Sequence, residues 1–485
     1  MTTNTAAPRS LSDYSLVGPY ARVAVEKGLA DAAWYLSPAP KAQMRALLER
    51  RDGPALRDTL IWFALLIGLG AAGIALWGSP WAIFPFAIYA VIYASSSDSR
   101  WHESGHGTAF KTDWLNNALY EIASFMVMRE SIPWRWSHAR HHSDTIIVGR
   151  DAEISLQRPL SLISLALKFV YWPAFYKYFQ GMLRHVRGRM SPDERTYIPE
   201  SEFGRVYMRA RIYLAIYLAV IALAIATRSI IPLLFVGLPN LYGSWLMVVY
   251  GITQHAGLAE NVLDHRRNTR TVYMNFINRY LYWNMGYHIE HHMFPMAPYH
   301  NLPKLHALVK DDMPPPYHGL VAAYREIIPT LLKVARDPNY YFQRPLPTTA
   351  RPADAPHQAE VIVSDAAPDA EGWLEAFDLR RLAPGESASF EHRGKTYAIY
   401  RSAVGELFAS DGLCTHGKTH LADGLLQGVC IECPKHNGRF NLRDGSVLRP
   451  PPRIPLKTYA AREKNGKVLL HVGTAQEPEP TAMEV

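Results

Sequence analysis

The stretch that decides the fold is Gly286-Tyr-His288-Ile-Glu-His291-His292-Met-Phe-Pro295, in which three histidines recur at helical spacing. Two earlier stretches have the same character, His102-Glu-Ser-Gly-His106 and His138-Ala-Arg-His141-His142. Spacings of three and four residues place the rings of each stretch on one face of a helix. Imidazole is the commonest metal ligand in proteins because its neutral form offers a nitrogen lone pair. Eight rings presented in this way suit a cage for more than one transition-metal ion.

The clustering of these histidines exceeds chance. With 20 histidines in 485 residues, a His-x-x-His-His triplet is expected about 0.03 times, and the sequence contains two. His255, in Gln254-His-Ala-Gly257, is a ninth candidate ligand because it follows an apolar run that we expect to end beside the clusters. The clusters contain no cysteine, which argues against a structural zinc site. Imidazole ligands with open positions suit iron, which binds and reduces O₂.

Four uncharged apolar runs predict helices that cross a membrane. They cover residues 60–78, 81–97, 212–226 and 230–252. The loops within the two pairs of runs are short and carry one basic residue, Arg228, whereas many lysines and arginines lie on the other side. The positive-inside rule therefore predicts two membrane hairpins, with both termini and every histidine cluster on the cytoplasmic face. The alternative is a soluble protein with four buried helices.

The composition agrees with a membrane protein. Hydrophobic residues make up 48% of the chain and charged residues 19%, and the formal net charge is +8. The basic residues form no compact patch with interleaved aromatic residues, so we expect no nucleic-acid partner and favour anionic lipid headgroups. The N-terminus lacks an apolar segment after a basic start, so we expect no secretory signal.

The chain is expected to contain two folded domains, an α-helical integral membrane domain with about four transmembrane helices and a small all-β domain. A Pro-rich linker should separate them, since it has few bulky apolar residues. Short β-prone segments between Gly-rich turns predict the all-β domain. The expected boundaries are a cytosolic or interfacial N-terminal segment at residues 1–57, the membrane domain at 58–342, the linker at 343–372, the β domain at 373–473 and a tail at 474–485.

A second constellation lies in the predicted β domain, where Cys414-Thr-His416 is followed by Cys433-Pro-Lys-His436. Two cysteines and two histidines at this spacing are typical of a Rieske [2Fe–2S] site, in which two thiolates hold one iron and two imidazoles the other. Zinc is the competing interpretation, but a zinc ribbon needs a second close cysteine pair. The third cysteine, Cys430, is expected to be a buried free thiol. Three cysteines in one short segment indicate a reducing compartment.

The three histidine stretches and their order around a membrane hairpin resemble the membrane fatty-acid desaturase and hydroxylase superfamily, which includes the alkane hydroxylases. The resemblance covers about residues 60–310. It implies a di-iron centre at the cytosolic mouth of four spanning helices, with O₂ as cosubstrate. The iron ligands that it implies are His102, His106, His138, His141, His142, His288, His291 and His292, and less firmly His255. Acidic residues that could orient these rings are Glu103, Asp144, Asp151, Glu260, Asp264 and Glu290.

Residues 373–473 resemble the Rieske ferredoxins of bacterial oxygenases, which implies that Cys414, His416, Cys433 and His436 bind the cluster. Compared with respiratory Rieske proteins, Thr419 and Lys435 replace two additional cysteines, and Gly438 replaces a serine that donates to a cluster sulfur. Fewer such hydrogen bonds predict a low potential, on the order of −150 mV. The only dinucleotide-type pattern, Gly68–Gly73, lies in an apolar run. A separate NAD(P)H-dependent flavin reductase is therefore expected.

Together these features predict an integral membrane enzyme, in a bacterial inner membrane, that oxidises an unactivated C–H bond of a lipid or other hydrophobic substrate. Hydroxylation and desaturation both remain open. The bacterial oxygenases that the sequence resembles include enzymes that hydroxylate or oxidatively demethylate small polar molecules, so this alternative also remains open. A membrane-anchored redox or metal sensor is an alternative of another class. A homo-oligomer is compatible with the sequence.

Overall fold

The computed structural model describes residues 21–26, 29, 34–352, 361–417, 419–435 and 437–472. The chain separates into two compact units. The helical unit contains Glu49–Met293 and Ala297–Arg351, together with the described residues up to Ser37. The β unit contains Pro38–Leu48, Phe294–Met296 and the described residues from Pro352 onward.

Most residues of the helical unit lie in α-helices, and one parallel pair of short strands, β1 (Val272–Tyr273) and β2 (Tyr317–His318), lies beside them. Short 3-10 turns and a π-helical turn at Val91–Ser95 connect several helices. In chain order, the α-helices of the described residues are α1 Ala21–Glu26, α2 Lys41–Leu47, α3 Asp52–Ala75, α4 Ile83–Ala90, α5 Ser96–His106, α6 Asp113–Met126, α7 Ser131–Ser143, α8 Leu162–Phe169, α9 Trp172–Val186, α10 Glu200–Ala226, α11 Ile231–Phe235, α12 Pro239–Gly243, α13 Trp245–His255, α14 His265–Asn268, α15 Phe276–Leu281, α16 His288–Met293, α17 Leu302–Val309 and α18 Leu320–Arg336.

Among the described residues, two helical segments, Ala42–Ala75 and Glu200–Ala226, are long and apolar enough to cross a membrane, judged by length and composition. Only 28% and 22% of their apolar windows are buried, so most of these side chains face outward. Neither of the other two predicted spans is a single α-helix: residues 81–97 change from a 3-10 turn to α4, a π-helical turn and the start of α5, and residues 230–252 form three separate helices. The structure therefore confirms a helical region followed by a β domain, and it does not confirm four spanning helices.

Proline and glycine explain the interruption of residues 230–252. Pro232 and Pro239 lie in the first turns of α11 and α12, where the missing N–H is tolerated, and each thereby begins a new short helix. Between them Gly237 has a φ of +92°, a conformation that side chains other than hydrogen disfavour. The run ends in α13, whose last residue is His255.

The first histidine cluster is reached without a break in the helical backbone. The π-helical turn at Val91–Ser95 joins α4 to α5, so the apolar run leads directly to His102 and His106. Gly243 allows α12 to approach this segment, because a Cβ at Gly243 would lie 2.1 Å from the carbonyl oxygen of Ala90. Apolar packing thus fixes where the histidine-bearing helix begins.

The β unit contains three sheets, antiparallel except for the parallel pair of β3 and β5, around two apolar clusters. A five-stranded sheet has the order β12-β7-β6-β5-β3, a three-stranded sheet the order β13-β14-β4, and a four-stranded sheet the order β11-β10-β9-β8. The strands are β3 Val361–Val363, β4 Trp373–Asp378, β5 Glu386–His392, β6 Lys395–Arg401, β7 Leu407–Asp411, β8 Leu425–Gln427, β9 Cys430–Glu432, β10 Arg439–Asn441, β11 Val447–Arg449, β12 Thr458–Tyr459, β13 Ala461–Lys464 and β14 Lys467–His471.

Both ends of the predicted linker, residues 343–372, are more ordered than expected. In the helical unit, Arg344 donates to the carbonyl oxygen of Pro315, and the backbone N–H of Arg351 donates to Asp312 at 2.8 Å. In the β unit, β3 pairs in parallel with β5, so residues 361–363 belong to a sheet. Residues 353–360, the middle of the predicted linker, and the predicted tail at 474–485 lie outside the described residues.

Candidate metal centres

The structure brings all nine candidate histidines of the helical unit together. His102 and His106 lie at the end of α5, the second cluster lies in the last turns of α7, and the third cluster occupies α16. His255 ends α13. Eight of the nine side chains are buried and His255 is half-buried. Four helices that are distant in sequence therefore present imidazoles to one enclosed volume.

The imidazoles form two groups within which one ligand atom from each residue lies within 4.8 Å of the others. The larger group contains His102, His106, His138, His142 and His291, and the smaller contains His141, His255 and His292. His288 joins the smaller group, because its Nε2 lies 3.1 Å from the Nε2 of His292. Two groups of such closely spaced imidazoles match the cage for more than one metal ion that the sequence predicts.

The spacing of the ring nitrogens suits ions between them. The Nε2 of His138 lies 3.1 Å from that of His106 and 3.2 Å from that of His102. Two nitrogens that each lie about 2.1 Å from one ion, at a right angle, are about 3.0 Å apart. The Nε2 atoms of His102 and His291 are closer, at 2.6 Å. Lone pairs that converge at these distances repel one another unless a proton or a cation lies between them.

Hydrogen bonds to Nδ1 fix which nitrogen of several rings points into the cage. The Nδ1 of His255 lies 2.9 Å from the carbonyl oxygen of Asn268, which can only accept, so this Nδ1 carries the proton. His141 donates from Nδ1 to Asp151 at 2.8 Å, and His138 from Nδ1 to Glu153 at 3.0 Å. In each ring the lone pair is then on Nε2, the nitrogen that faces the other imidazoles.

His292 is oriented through a hydroxyl group. Thr145 donates its hydroxyl proton to the carbonyl oxygen of His141 at 2.7 Å. Since that hydroxyl has one proton, it accepts from the Nδ1 of His292, which lies 3.2 Å away. All three members of the smaller group therefore have an assigned tautomer with the Nε2 lone pair available.

The electrostatics of the cage also favour neutral imidazoles. Burial lowers the pKa of His102, His138, His142, His288, His291 and His292, and neighbouring histidines lower it further. Neutral imidazole is the form that binds a metal ion. Both ring nitrogens of His142 and the Nε2 of His255 are buried without a hydrogen-bond partner among the described residues. Since buried polar atoms are nearly always satisfied, this donor set fits bound metal ions.

Of the six acidic residues proposed to orient the rings, Asp151 accepts a hydrogen bond from one of the nine histidines, His141. The other five interact with different groups, Glu103 with the N–H of Tyr299, Asp144 with Arg150, Glu260 with Arg158, Asp264 with Arg266 and Glu290 with His306. Sequence reasoning missed Glu153, Thr145 and the carbonyl of Asn268. Glu153 follows Asp151 by two residues, a weak local signal, whereas a backbone carbonyl leaves no signal in the sequence.

The second constellation lies where two loops of the β unit meet the apolar cluster. Cys414 follows β7 and Cys433 follows β9, and both side chains are buried. A hydrogen bond with Cys433 and backbone N–H groups of His416 and Gly417 lower the pKa of Cys414 to about 7, although burial opposes them. A lowered thiol pKa favours the thiolate that binds iron. His436 lies outside the described residues.

Two details of this site differ from expectation or refine it. Cys430 lies on β9 and is half-buried, so the prediction of a buried thiol was wrong. At Gly438 a Cβ would lie 2.3 Å from Cδ of Pro452. The absence of a side chain at residue 438 is therefore a packing requirement as well as a loss of a hydrogen-bond donor.

Two family models match the chain, one over each of the regions that contain the candidate ligands. The Fatty acid desaturase model matches residues 79–324, which include all nine histidines. The Rieske [2Fe-2S] domain model matches residues 372–460, which include Cys414, His416, Cys433 and His436. The chain is thus an O₂-dependent oxidoreductase whose cofactors are a di-iron centre and a [2Fe–2S] cluster.

Individual relatives each match about a fifth of the chain. The ferredoxin component of the naphthalene 1,2-dioxygenase/salicylate 5-hydroxylase systems of Ralstonia sp is 38% identical over 100 residues, covering 21% of this chain and 95% of that protein. Cholesterol 7-desaturase nvd of Xenopus laevis is 35% identical over 106 residues, covering 20% of this chain and 23% of that protein. The solved complex of reduced oxygenase and oxidized ferredoxin in carbazole 1,9a-dioxygenase matches at 30% identity and a TM-score of 0.20, over 22% of this chain and 97% of that chain.

The family match extends over 246 of the 485 residues, from 79 to 324, and it contains the complete set of histidines gathered by α5, α7, α13 and α16. The chain belongs to the fatty acid desaturase family and carries a C-terminal Rieske [2Fe–2S] domain.

Proposed function

We propose that the protein is a membrane-bound oxygenase that uses O₂, and electrons from its own Rieske domain, to hydroxylate or desaturate an unactivated C–H bond of a hydrophobic substrate. The observation that carries this proposal is the gathering of nine imidazoles, eight of them buried, in a chain that also contains a Rieske domain. Two iron ions held by those imidazoles would supply O₂ reduction and the oxidant that removes hydrogen.

The residues proposed to hold the irons form two sets. One iron would bind in the group of His102, His106, His138, His142 and His291, and the other in the group of His141, His255 and His292 with His288 beside it. The [2Fe–2S] cluster would bind to Cys414, His416, Cys433 and His436. Asp151, Glu153, Thr145 and Asn268 would hold ring tautomers so that the Nε2 lone pairs are available before iron arrives.

A cavity of about 530 Å³ offers a place for the substrate. His141 and His255 lie in its wall, and apolar side chains such as Leu160, Ile252 and Leu331 line other parts. A volume in the range of about 300–1,000 Å³ is typical of small-molecule sites. Apolar walls hold a hydrocarbon group by burial, and they exclude water from the place where hydrogen would be removed.

Electrons would reach the irons through the covalently attached Rieske domain. Attachment through a flexible connection gives an effective concentration on the order of millimolar, which a separate ferredoxin rarely reaches. The Ralstonia relative is a component of a multicomponent dioxygenase system. By analogy, a separate NAD(P)H-dependent flavin reductase would reduce the cluster. Both termini and the cage would lie on the cytoplasmic side of a bacterial inner membrane, as the charge distribution predicts.

Product analysis with ¹⁸O₂ tests the proposal. The reduced protein, in membranes, is supplied with candidate lipids and small hydrophobic molecules, and products are examined by mass spectrometry. One ¹⁸O atom in the product indicates hydroxylation, and loss of two hydrogens without label indicates desaturation. The matched control is Cys433→Ser, which should retain iron in the histidine cage but stop turnover by reductant. Zinc in the cage of an active preparation, or O₂ consumption that never depends on substrate, would refute the proposal.

A further inference from the structure

Three ionisable side chains outside the histidine cage form a buried chain. Glu130 immediately precedes α7, His185 lies in the last turn of α9, and Glu194 begins the 3-10 turn Glu194–Thr196. His185 donates from Nδ1 to Glu130 and from Nε2 to Glu194, the latter at 3.1 Å. The exposed fractions of the three side chains are 7%, 2% and 14% in the order Glu130, His185, Glu194.

The charges in this chain favour an imidazolium. Burial by itself lowers the pKa of His185, but its hydrogen bonds to Glu130 and Glu194 outweigh burial and raise the pKa to about 9. Burial raises the pKa of Glu130. Burial would also raise the pKa of Glu194, but the hydrogen bond and charge of His185, together with hydrogen bonds from Ser191, outweigh it and lower the pKa to about 2. Glu194 is therefore a fixed carboxylate, and the mobile proton lies between His185 and Glu130.

Neighbouring hydrogen-bond donors hold Glu194 in place and do not accept the proton that His185 and Glu130 share. Arg184 donates to Glu194 at 2.9 Å, and the backbone N–H of Ser191 donates to it at 2.8 Å. The other titratable or charged groups beside the chain are Tyr178 near Glu130, Tyr197 near Glu194, Tyr217 against Tyr178, and Arg211 against the carbonyl of Val186.

This chain lies in the wall of the same cavity as the histidine cage. Glu130, His185 and Glu194 line the 530 Å³ cavity together with His141 and His255. Burying charged groups is costly even when they are paired, and histidine is a common proton shuttle because its pKa lies close to neutral pH. A structural ion pair between α7 and α9 would not need to face the cavity.

Both reactions under the proposed function consume protons. Hydroxylation converts RH, O₂, two electrons and two protons into ROH and H₂O. Desaturation converts two C–H bonds, O₂, two electrons and two protons into a C=C bond and two H₂O. A cavity filled by a hydrophobic substrate excludes bulk water, so a proton needed during O₂ reduction has to be stored in the wall.

We propose that Glu130 and His185 form a proton store that delivers one of these protons to the cavity, with Glu194 holding the imidazolium in position. This inference rests on the proposed function. The Nδ1 proton of His185 moves to the Glu130 carboxylate, and Glu130 passes a proton to the oxygen being reduced or to a water beside it, which leaves His185 neutral and Glu130 ionised. When product leaves and water enters the cavity, a proton returns through Glu130 to Nδ1 of His185. The second proton comes from solvent, and the electrons come from the Rieske domain.

The central experiment compares wild type with His185→Gln, which keeps hydrogen bonding but cannot carry the proton. Fully reduced protein in membranes is mixed with O₂ and substrate for a single turnover. We expect O₂ consumption to slow by about 10²-fold in His185→Gln, the range typical of a lost proton donor. We also expect the alkaline limb of the wild-type pH profile, near the pKa of about 9, to disappear. Glu194→Gln should move that limb to lower pH, because it removes a carboxylate that stabilises the imidazolium.

Proton uptake provides a readout separate from turnover rate. In weakly buffered solution with a pH indicator, wild type should take up one proton during O₂ reduction and the second only on product release, whereas His185→Gln should draw both from solvent during O₂ reduction. Free imidazole should restore the rate of His185→Gly. The matched control is Glu260→Gln, another carboxylate of the cavity wall, which pairs with Arg158 and should leave proton timing unchanged.

The outcomes separate the two proposals. A wild type without substrate-dependent O₂ consumption would refute the proposed function. A wild type that turns over, with a His185→Gln variant of equal rate and equal proton timing, would refute the store alone. Loss of rate that parallels loss of bound iron, with no rescue of His185→Gly by imidazole, would also refute it, because the chain would then be only structural.

Discussion

Replacing Asp151 by asparagine should weaken one iron site selectively. The Oδ2 of Asp151 accepts from Nδ1 of His141 and from the N–H of Ile146, each at 2.8 Å. Its Oδ1 accepts from the N–H of Glu153, also at 2.8 Å. Every one of these partners is a donor, so the NH₂ group of an asparagine faces a donor whichever way the amide is turned. The substitution therefore either breaks the bond to His141 or disturbs the loop that carries Glu153.

The expected loss of iron affinity follows from the role of the hydrogen bond between Asp151 and His141. Removing an acceptor behind a metal-binding histidine typically weakens metal binding by about 10–100-fold. That range corresponds to about 1.4–2.8 kcal/mol, since each tenfold change is about 1.4 kcal/mol. The loss should fall on the group of His141, His255 and His292, so one of the two irons should leave first. Iron per protein is measured after titration with a chelator, beside the cluster signal of the Rieske domain as an internal standard.

The control for this prediction is Asp312→Asn. Asp312 is also buried and also surrounded by donors, among them Tyr35 at 2.6 Å and Arg266 at 2.9 Å, but it contacts none of the nine histidines. Asp312→Asn should lower thermal stability and leave the iron content of folded protein unchanged. If Asp151→Asn retains both irons as firmly as wild type, or if Asp312→Asn loses iron equally, the proposed role of Asp151 is wrong.

Three further predictions concern stability. The pKa of His185 is about 9 in the folded protein and about 6.5 in the unfolded chain. The ion pairs of His185 with Glu130 and Glu194 therefore contribute their full stabilisation of the folded state below about pH 6.5, and this contribution is lost as the pH rises through about 9. The difference in melting temperature between wild type and His185→Gln should shrink over that interval, and a constant difference would contradict the assignment. Gly438→Ala should destabilise the β unit by about 1–3 kcal/mol, measured by thermal loss of the cluster signal, because Cβ would meet Pro452 at 2.3 Å. Gly243→Ala should lower the melting temperature in detergent, because Cβ would meet the backbone oxygen of Ala90 at 2.1 Å; an unchanged value would show that α12 and α4 can separate freely.

The sequence predicted the chemistry-bearing residues better than the groups that support them. The spacing within clusters such as His138-Ala-Arg-His141-His142 places their rings on one face of a helix, so we could predict from the sequence that these rings converge. His255 could be added only because the apolar run before it ends at the same side. Glu103 and Asp151 looked alike in sequence, yet one accepts from the N–H of Tyr299 and the other from a cage imidazole. Loop geometry decides that difference, and no periodicity encodes it.

Predicting membrane helices from uncharged runs is limited in a similar way. Absence of charge identified residues 230–252 as apolar, but Pro232, Gly237 and Pro239 break the run into α11, α12 and α13. These residues were visible in the sequence, and the length of the apolar run outweighed them in the prediction. Residues 361–363 fell within the predicted linker, which was assigned for its prolines and its few bulky apolar residues. A three-residue strand is too short to show alternation, and β5 provides its pairing partner.

The two histidine groups differ in a way that links the cage to the cavity. The larger group offers five imidazoles, whereas the smaller offers three, or four with His288. An ion with fewer protein ligands keeps more positions for water or oxygen, as catalytic metal sites do. His141 and His255, which line the cavity, both belong to the smaller group. Glu130 and His185 line the same cavity as His141 and His255, so the smaller histidine group and the proposed proton store both face the space proposed for substrate. Asp151, which orients His141, is therefore the probe of the smaller group, whereas Glu153, which also lines the cavity, orients a ring of the larger group.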